Sequence, residues 1–180
     1  QRIGFFRLNS FNLSAGYVWR ENTLKTHEFF PVDISYVQLG KRSEQFQDLL
    51  ESNRYLANSF QNQFIIGSRY SYTLNTQLNE DRKSQYRERD FERSHFFFNG
   101  TIDVAGNLVN LVQHTFTDDT GDSLKIFGTP YSQFVWGEVD ARYFFSFDKH
   151  NKLAMRITGG TGYAYNNSTT MPYIKQFSIG

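Results

Sequence analysis

Residues 60–74 alternate between the two sides of an extended chain, and this alternation constrains the fold more than any other feature. Even positions carry Phe64, Ile66, Tyr70 and Tyr72, and odd positions carry Gln63, Arg69 and Ser71. A period of two over this length is typical of a β-strand and does not fit a helix. Strands of globular proteins usually have about five or six residues, whereas the tilted strands of membrane barrels are much longer. The pattern therefore predicts a long strand with the first set facing outward and the second inward.

The composition fits such a strand in two kinds of protein. The mean hydropathy is −0.56, yet aromatic residues make up 18% of the chain, with 19 Phe and 11 Tyr. No run approaches the ~18 apolar residues of a membrane helix. A barrel wall with one face in lipid, one wet face and aromatic belts has this composition, and so does an antiparallel β-protein in water. Composition alone leaves both open.

Five further segments show strand periodicity. The predicted strands are 3–20, 30–39, 60–75, 89–104, 131–147 and 152–165. Ser43 and the spacing of the apolar residues after it predict a short helix at 43–52. Residues 107–114 fit either a helical turn or a continued strand. We therefore expect an all-β fold: an antiparallel meander forming part of a transmembrane β-barrel, with a short helix in a loop.

The same alternation predicts which charges face the lumen. These are Arg69, Glu138, Asp140, Arg142 and Arg156, while Val139 and Ile157 face outward. Charges paired across strands are expected of a polar barrel interior, so we interpret them as structural rather than as an acid–base centre.

The number of strands bears on closure. Outer-membrane barrels have about eight strands or more, so six should not close by themselves. We expect residues 1–180 to be one partial barrel domain. The links after residues 39 and 104 are long, and residues 148–151 form a tight turn, which is typical of barrels with long loops at one end.

Residue types that carry chemistry are sparse or badly spaced. The chain has no Cys, and its four His residues show no metal-site spacing. Residues 118–122 are acidic but lack the spacing of a calcium loop, and no helix follows the glycines at 159–162. No nucleophile motif occurs. With a net charge of +1, the sequence predicts no enzyme, cofactor, metal or nucleic-acid partner.

The last ten residues, MPYIKQFSIG, resemble a signature of the bacterial surface-antigen barrels, the BamA/TamA-like outer-membrane assembly factors. There a strand ends in a motif like LPYxKQFxxGG before a loop folds into the barrel. The matching residues are Met171, Pro172, Tyr173, Lys175, Gln176, Phe177 and Gly180. Segments 16–20, 31–40, 105–111, 131–145 and 153–180 resemble Bacteroides-type members. The resemblance implies that the chain is an internal or C-terminally truncated section of such a barrel. We expect Lys175 and Gln176 to be polar positions at a strand end, Pro172 to set a bend and Tyr173 to anchor an interface.

The resemblance implies a location and a function. The section would lie in a Gram-negative outer membrane and belong to a non-catalytic factor that templates insertion of other β-barrels, or to an export relative. Its partners would be outer-membrane lipid, client outer-membrane proteins and accessory envelope proteins. Residues 148–151 would be periplasmic, and the loops with 43–52 and 105–130 extracellular. The alternatives are a section of a passive porin or nutrient transporter barrel and, less favoured, a soluble β-sheet binding domain.

Overall fold

The computed structural model describes residues 6–79, 94–116, 125–126, 128–148 and 151–176. Within these ranges the chain forms one six-stranded antiparallel sheet whose strands are joined in sequence order. The strands of this sheet are β1 (Phe6–Arg20), β2 (Lys25–Arg42), β3 (Gln63–Asn75), β4 (Ser94–Ala105), β7 (Phe134–Ser146) and β8 (Lys152–Ala164). A small hairpin, β5 (Lys125–Ile126) and β6 (Thr129–Pro130), lies in the link between β4 and β7. The helices are α1 (Glu44–Ser52), α2 (Arg54–Ser59) and α3 (Asn107–Phe116), and short 3-10 turns occur at Thr76–Asn79 and Tyr173–Lys175.

The predicted antiparallel meander is confirmed, and the sheet does not close. Among the described residues β1 pairs only with β2, and β8 only with β7. Both outer strands therefore present one edge of backbone donors and acceptors that the rest of the sheet does not use. Residues 3–5 and 89–93 of the predicted strands lie outside the described ranges.

The second strand is longer than predicted because a bulge interrupts its alternation. β2 has 18 residues, and its register to β3 shifts between Phe30 and Asp33. Before the shift Phe29 pairs with Tyr70, and after it Ile34 pairs with Ile66. The extra residue moves the apolar set from odd to even positions. The sequence prediction assumed one continuous alternation, so it placed the start of this strand at residue 30 instead of Lys25.

Two aromatic residues that the alternation placed on the outer side are buried instead. Tyr131 has the same parity as Val139 but is only 1% exposed, and Phe60 has the parity of Phe64 but lies ahead of β3 in the core. Residues 131–133 precede β7 and lie outside its ladder: Tyr131 forms an isolated bridge with Phe64, and the Ser132 amide donates to the Phe64 carbonyl at 2.7 Å. Parity fails here because the regular ladder ends at Phe134.

Side-chain caps fix where the helices begin. The Ser43 hydroxyl accepts from the Phe46 amide at 3.2 Å, and α1 matches the prediction closely. The next helix, α2, was not predicted; its cap is Asn53, which accepts from the Leu56 amide at 3.1 Å. Residues 107–116 are helical, which decides between the two readings of that segment. No helix in the described ranges is long and apolar enough to cross a membrane.

The core lies at one end of the sheet, where α1, α2 and residues 165–176 cover one face. We call this the loop end, because residues 43–62, 106–116 and 128–133 also lie there; the opposite end, with residues 21–24, 147–148 and 151, is the turn end. One buried cluster consists of Val37, Ile65, Ala105, Phe134 and Met171. A second consists of Leu39, Phe46 and Phe60. Toward the turn end the same face carries polar side chains.

Candidate functional site: the polar inner face

The strand register sorts side chains into two sets of opposite polarity. The inner face, which carries the core at the loop end, includes Asp33, Arg69, Ser71, Asn99, Thr101, Asp103, Glu138, Asp140, Arg142 and Arg156. The outer face includes Phe11, Leu13, Phe64, Ile66, Tyr70, Ile102, Val139, Ile157 and Tyr163. The structure thus brings all five predicted lumenal charges to one face, and Arg69 lies opposite the face of Phe64 and Ile66.

One carboxylate on the inner face binds two arginines. Arg142 and Arg156 lie directly across β7 and β8 from each other. Arg142 donates to Asp140 at 2.6 and 3.1 Å, and Arg156 donates to it at 3.0 and 3.2 Å. Paired guanidinium–carboxylate bonds of this kind are among the stronger polar contacts in proteins. Because the Arg142 guanidinium also lies 5.0 Å from the centre of the Phe97 ring, the cluster connects β4, β7 and β8.

A second carboxylate is more deeply buried and binds the end of the described chain. The side chain of Asp103 is 3% exposed, and it forms an ion pair with Lys175. On the neighbouring strand Arg69 lies opposite Asp103, with its guanidinium 4.9 Å from the Phe30 ring centre and 3.9 Å from Asp33. Lys175 thus joins the segment after β8 to a charged residue of the sheet.

Residues 165–176, which we call the tail, fold back onto the inner face. β8 ends at Ala164, and Asn166 has a φ of 49°, a left-handed conformation that Asn tolerates better than most residues. The Ser168 hydroxyl then accepts from the Gln133 amide at 2.8 Å, and the Asn167 amide group donates to the Tyr131 carbonyl at 2.9 Å. These bonds hold the start of the tail against the segment before β7.

The motif residues lie at the other end of the tail. Met171 belongs to the buried cluster, the Tyr173 ring stacks on Phe60 at 4.1 Å, and Gln176 donates to the Ser59 hydroxyl at 3.0 Å. Pro172 is fully buried. Phe177 and Gly180 lie outside the described residues.

The structure differs from the sequence interpretation of this motif. Tyr173–Lys175 is a 3-10 turn rather than a strand end, and Lys175, expected to be a polar position there, forms an ion pair with Asp103. Tyr173 stacks on Phe60 while remaining 42% exposed, and its role as an interface anchor stays a prediction. The partners Asp103 and Ser59 could not be found from the sequence, because they lie 72 and 117 residues before Lys175 and Gln176.

Uncharged groups on the inner face bond to one another. The hydroxyls of Ser71 and Thr101 lie 2.8 Å apart, and Asn99 donates to Thr73 at 2.8 Å. Within the described ranges, no three His, Asp or Glu side chains lie close enough together to hold a metal ion. The acidic segment 118–122 lies outside those ranges. These hydrogen bonds therefore join β3 to β4 and support the packing of the inner face.

A cluster at the turn end of the outer face was missed by sequence reasoning. His27 stacks parallel to Trp19 at 5.0 Å, and its Nδ1 lies 2.8 Å from the Tyr70 hydroxyl. In the adjoining turn, the hydrogen bond from Lys25 lowers the pKa of Glu21. Trp and Tyr concentrate where membranes meet water. The bulge in β2 sets the parity that turns His27 outward, so the signal appears only once that bulge is known.

Comparison with protein-family models, curated proteins and solved structures gave no match. The likeness to surface-antigen barrels therefore rests on the residues of this chain alone.

Proposed function

We propose that this chain is a wall section of a transmembrane β-barrel in a Gram-negative outer membrane, and that the barrel is a BamA-like factor that inserts other β-barrel proteins. The observation that carries the proposal is the built position of the motif residues, with Lys175 bound to the buried Asp103 and Gln176 bound to Ser59. The residues that resemble the family motif are thus the residues that join the tail to the inner face and to α2.

The contrast between the two faces supports the wall. Large apolar side chains stand exposed along the outer face of the six strands, up to 76% for Ile157. Monomeric proteins in water rarely expose a continuous apolar surface of this extent. Lipid suits such a surface, and the paired charges of the inner face suit a wet interior.

The unused strand edges support a larger barrel. β1 and β8 each have one described neighbour, and lipid offers no hydrogen bonds to the other edge. A wall in a membrane would therefore need further strands on both sides. In this proposal client strands pair elsewhere on the barrel, and the section supplies wall and inner packing.

The covered loop end favours an assembly factor over a passive pore. Helices α1 and α2 and the tail pack over the inner face there, burying Val37, Leu39 and Phe134. A porin keeps its interior open as an aqueous channel. The non-catalytic mechanism fits the ion pairs that Asp140 and Asp103 form with Arg142, Arg156 and Lys175.

Reconstitution tests the proposal. The intact protein is placed in liposomes, an unfolded small outer-membrane barrel is added, and its folding is followed by the gel shift between unheated and heated samples. Liposomes with a porin are the control. We expect the client to fold faster only with this protein.

Two results would count against the proposal. Client folding at the rate of the porin control, with rapid swelling of the liposomes in sugar solution, would identify a passive pore. Recovery of the intact protein in water without detergent would remove the membrane assignment altogether.

A further inference from the structure

We infer that α3 is an interfacial helix, whose Leu108 and Leu111 side chains enter the boundary between lipid head groups and acyl chains beside the wall. The inference rests on the proposed function, because it requires the outer face to meet lipid. It adds a contact that lies in a loop and not on a strand.

The two sides of α3 differ in what they touch. Asn107 accepts from the Tyr165 hydroxyl at 2.7 Å and from the Gln133 amide group at 3.1 Å, and Asn110 donates to the Tyr131 hydroxyl at 3.3 Å. Residues three apart share one side of a helix. The polar side is therefore fixed to the protein.

Two leucines of α3 are exposed beside these contacts. Leu108 is 60% exposed and Leu111 is 65% exposed. At ~100° per residue, the midpoint of Leu108 and Leu111 lies about 100° around the helix from the midpoint of Asn107 and Asn110, and Leu111 itself lies about 40° from Asn107. The contacts of Asn107 and Asn110 thus fix how α3 is rotated, with the side chains of Leu108 and Leu111 exposed.

The anchoring partner places the helix at the rim of the outer face. Tyr165 follows β8 and stacks with Tyr163 at 6.3 Å, and Tyr163 is exposed on the outer face. Tyrosines of barrels gather where the apolar wall meets the head groups. Since Asn107 bonds to Tyr165, α3 begins at this level.

The connection to β4 allows the helix to leave the sheet at this point. Gly106 has a φ of +82°, which a residue with a side chain rarely adopts. Its amide still donates to the Ile66 carbonyl at 2.8 Å, as a continuation of the sheet. The chain therefore turns from strand to helix within one residue of the wall.

The composition of α3 suits lipid as its occupant. The segment NLVNLVQHTF contains no Asp, Glu, Lys or Arg. Entering the interface therefore requires no removal of water from an ion, and the backbone is already bonded within the helix. Ten residues are too few to span a bilayer, so the helix lies on it. Without charge, its contact should not depend on anionic lipid.

Fluorescence quenching tests the contact, because the chain has no cysteine of its own. In the intact protein with any other cysteine removed, Leu108→Cys and Leu111→Cys carry a small fluorophore. Ile157→Cys is the wall control, and Glu51→Cys on α1 is the water control. The variants are reconstituted in phosphatidylcholine bilayers with nitroxides at shallow or deep acyl positions, or exposed to iodide in the buffer.

We expect shallow nitroxides to quench the labels at residues 108 and 111 several-fold more than the label at residue 51. Deep nitroxides should quench residue 157, and added anionic lipid should leave the pattern unchanged. A second substitution, Asn107→Ala, should weaken shallow quenching at residue 111, because it removes the anchor without changing the apolar side.

The outcomes separate this inference from the proposed function. If residue 157 is quenched by lipid while residues 108 and 111 respond only to iodide, α3 is in water and the inference is wrong. If they respond to neither, protein covers the helix, and the inference is also wrong. A label at residue 157 that lipid cannot quench would overturn the wall itself.

Discussion

At the scale of single residues, the inner face depends on two shielded carboxylates. Among the described residues, Asp103 has one cationic partner, which comes from the tail, and Asp140 has two, which come from strands. A charge kept from water without its partner is costly. The two sites should therefore respond differently to the loss of one cation.

Lys175→Met should destabilise the protein strongly, because it leaves Asp103 buried without its cation. Breaking a buried pair costs about 3–5 kcal/mol. The measurement is the temperature at which the protein in lipid loses its compact form on unheated gels. Lys152→Met, at the exposed start of β8, is the matched control and should change little.

The second variant of this cycle is Asp103→Asn. Combined with Lys175→Met it should recover part of the lost stability, since no isolated charge remains. Equal losses in the single and double variants would show that the ion pair is not the cause.

Arginine on the outer face should damage folding more than loss of an inner arginine. Val139→Arg and Ile157→Arg should each cost about 2–4 kcal/mol if they lie near the middle of the membrane. Arg156→Ala should be milder, because Arg142 still binds Asp140. Asp140→Ala should fall between them, since it leaves two guanidinium groups facing each other.

Abundance in membranes and the gel shift of unheated samples measure this series. Similar damage from the outer and inner sets would mean that both faces meet the same solvent. That result would favour the soluble β-sheet domain.

Sequence reasoning reached the faces of residues 139 and 157 because β7 and β8 pair without a register shift. It failed at Tyr131, where the ladder has not yet begun, and at Lys175, whose partner is set by tertiary folding. Parity is thus informative only inside an uninterrupted ladder.

At the scale of elements, two strands can lie so close together that only glycine fits at one position. No sequence motif marks such a position. A Cβ on Gly67 of β3 would lie 2.9 Å from the Cα of Ala105 on β4, whereas a Cβ on Gly159 of β8 would meet nothing within 4 Å. The first glycine is needed for strand packing, and the second is not. The predicted strand pattern contained both without distinguishing them.

Gly67→Ala should therefore destabilise the protein by about 1–3 kcal/mol, the usual cost of overpacking. Gly159→Ala, the matched control, should stay near the parent. Denaturant unfolding in detergent micelles measures both. Equal stability of the two variants would mean that β3 and β4 can separate without cost.

The elements also show where local sequence is insufficient. α1 was predictable from Ser43 and its apolar spacing, but α2 has only six residues, and β5 and β6 have two each. Such short elements owe their structure to neighbours more than to propensity. The bulge in β2 likewise depends on the register to β3.

At the scale of the whole molecule, the open edges govern behaviour. Unpaired strand edges recruit other strands, so residues 1–180 alone in detergent should associate unless the edges are covered. Hydrogen exchange provides the test. In the proposed barrel, edge amides of β1 and β8 should exchange slowly, and in the isolated section they should exchange fast.

Amides of β3, which pairs on both sides, should be slow in both samples and serve as the internal control. Slow exchange of β1 and β8 in a monomeric isolated section would show that the edges are covered without further strands.

The folded-back tail has a consequence for the order of folding. Its bonds join residues far apart in sequence, 111 positions for Asn58 and Thr169 and 117 for Ser59 and Gln176. During synthesis from the N-terminus, α2 and β4 are made long before the residues that bind them. Contacts over such distances form late, because loop closure must come first. Until Met171 is synthesised, the cluster of Val37, Ile65 and Phe134 stays incomplete. The nascent section would therefore expose these apolar side chains to chaperones that bind unfolded chains.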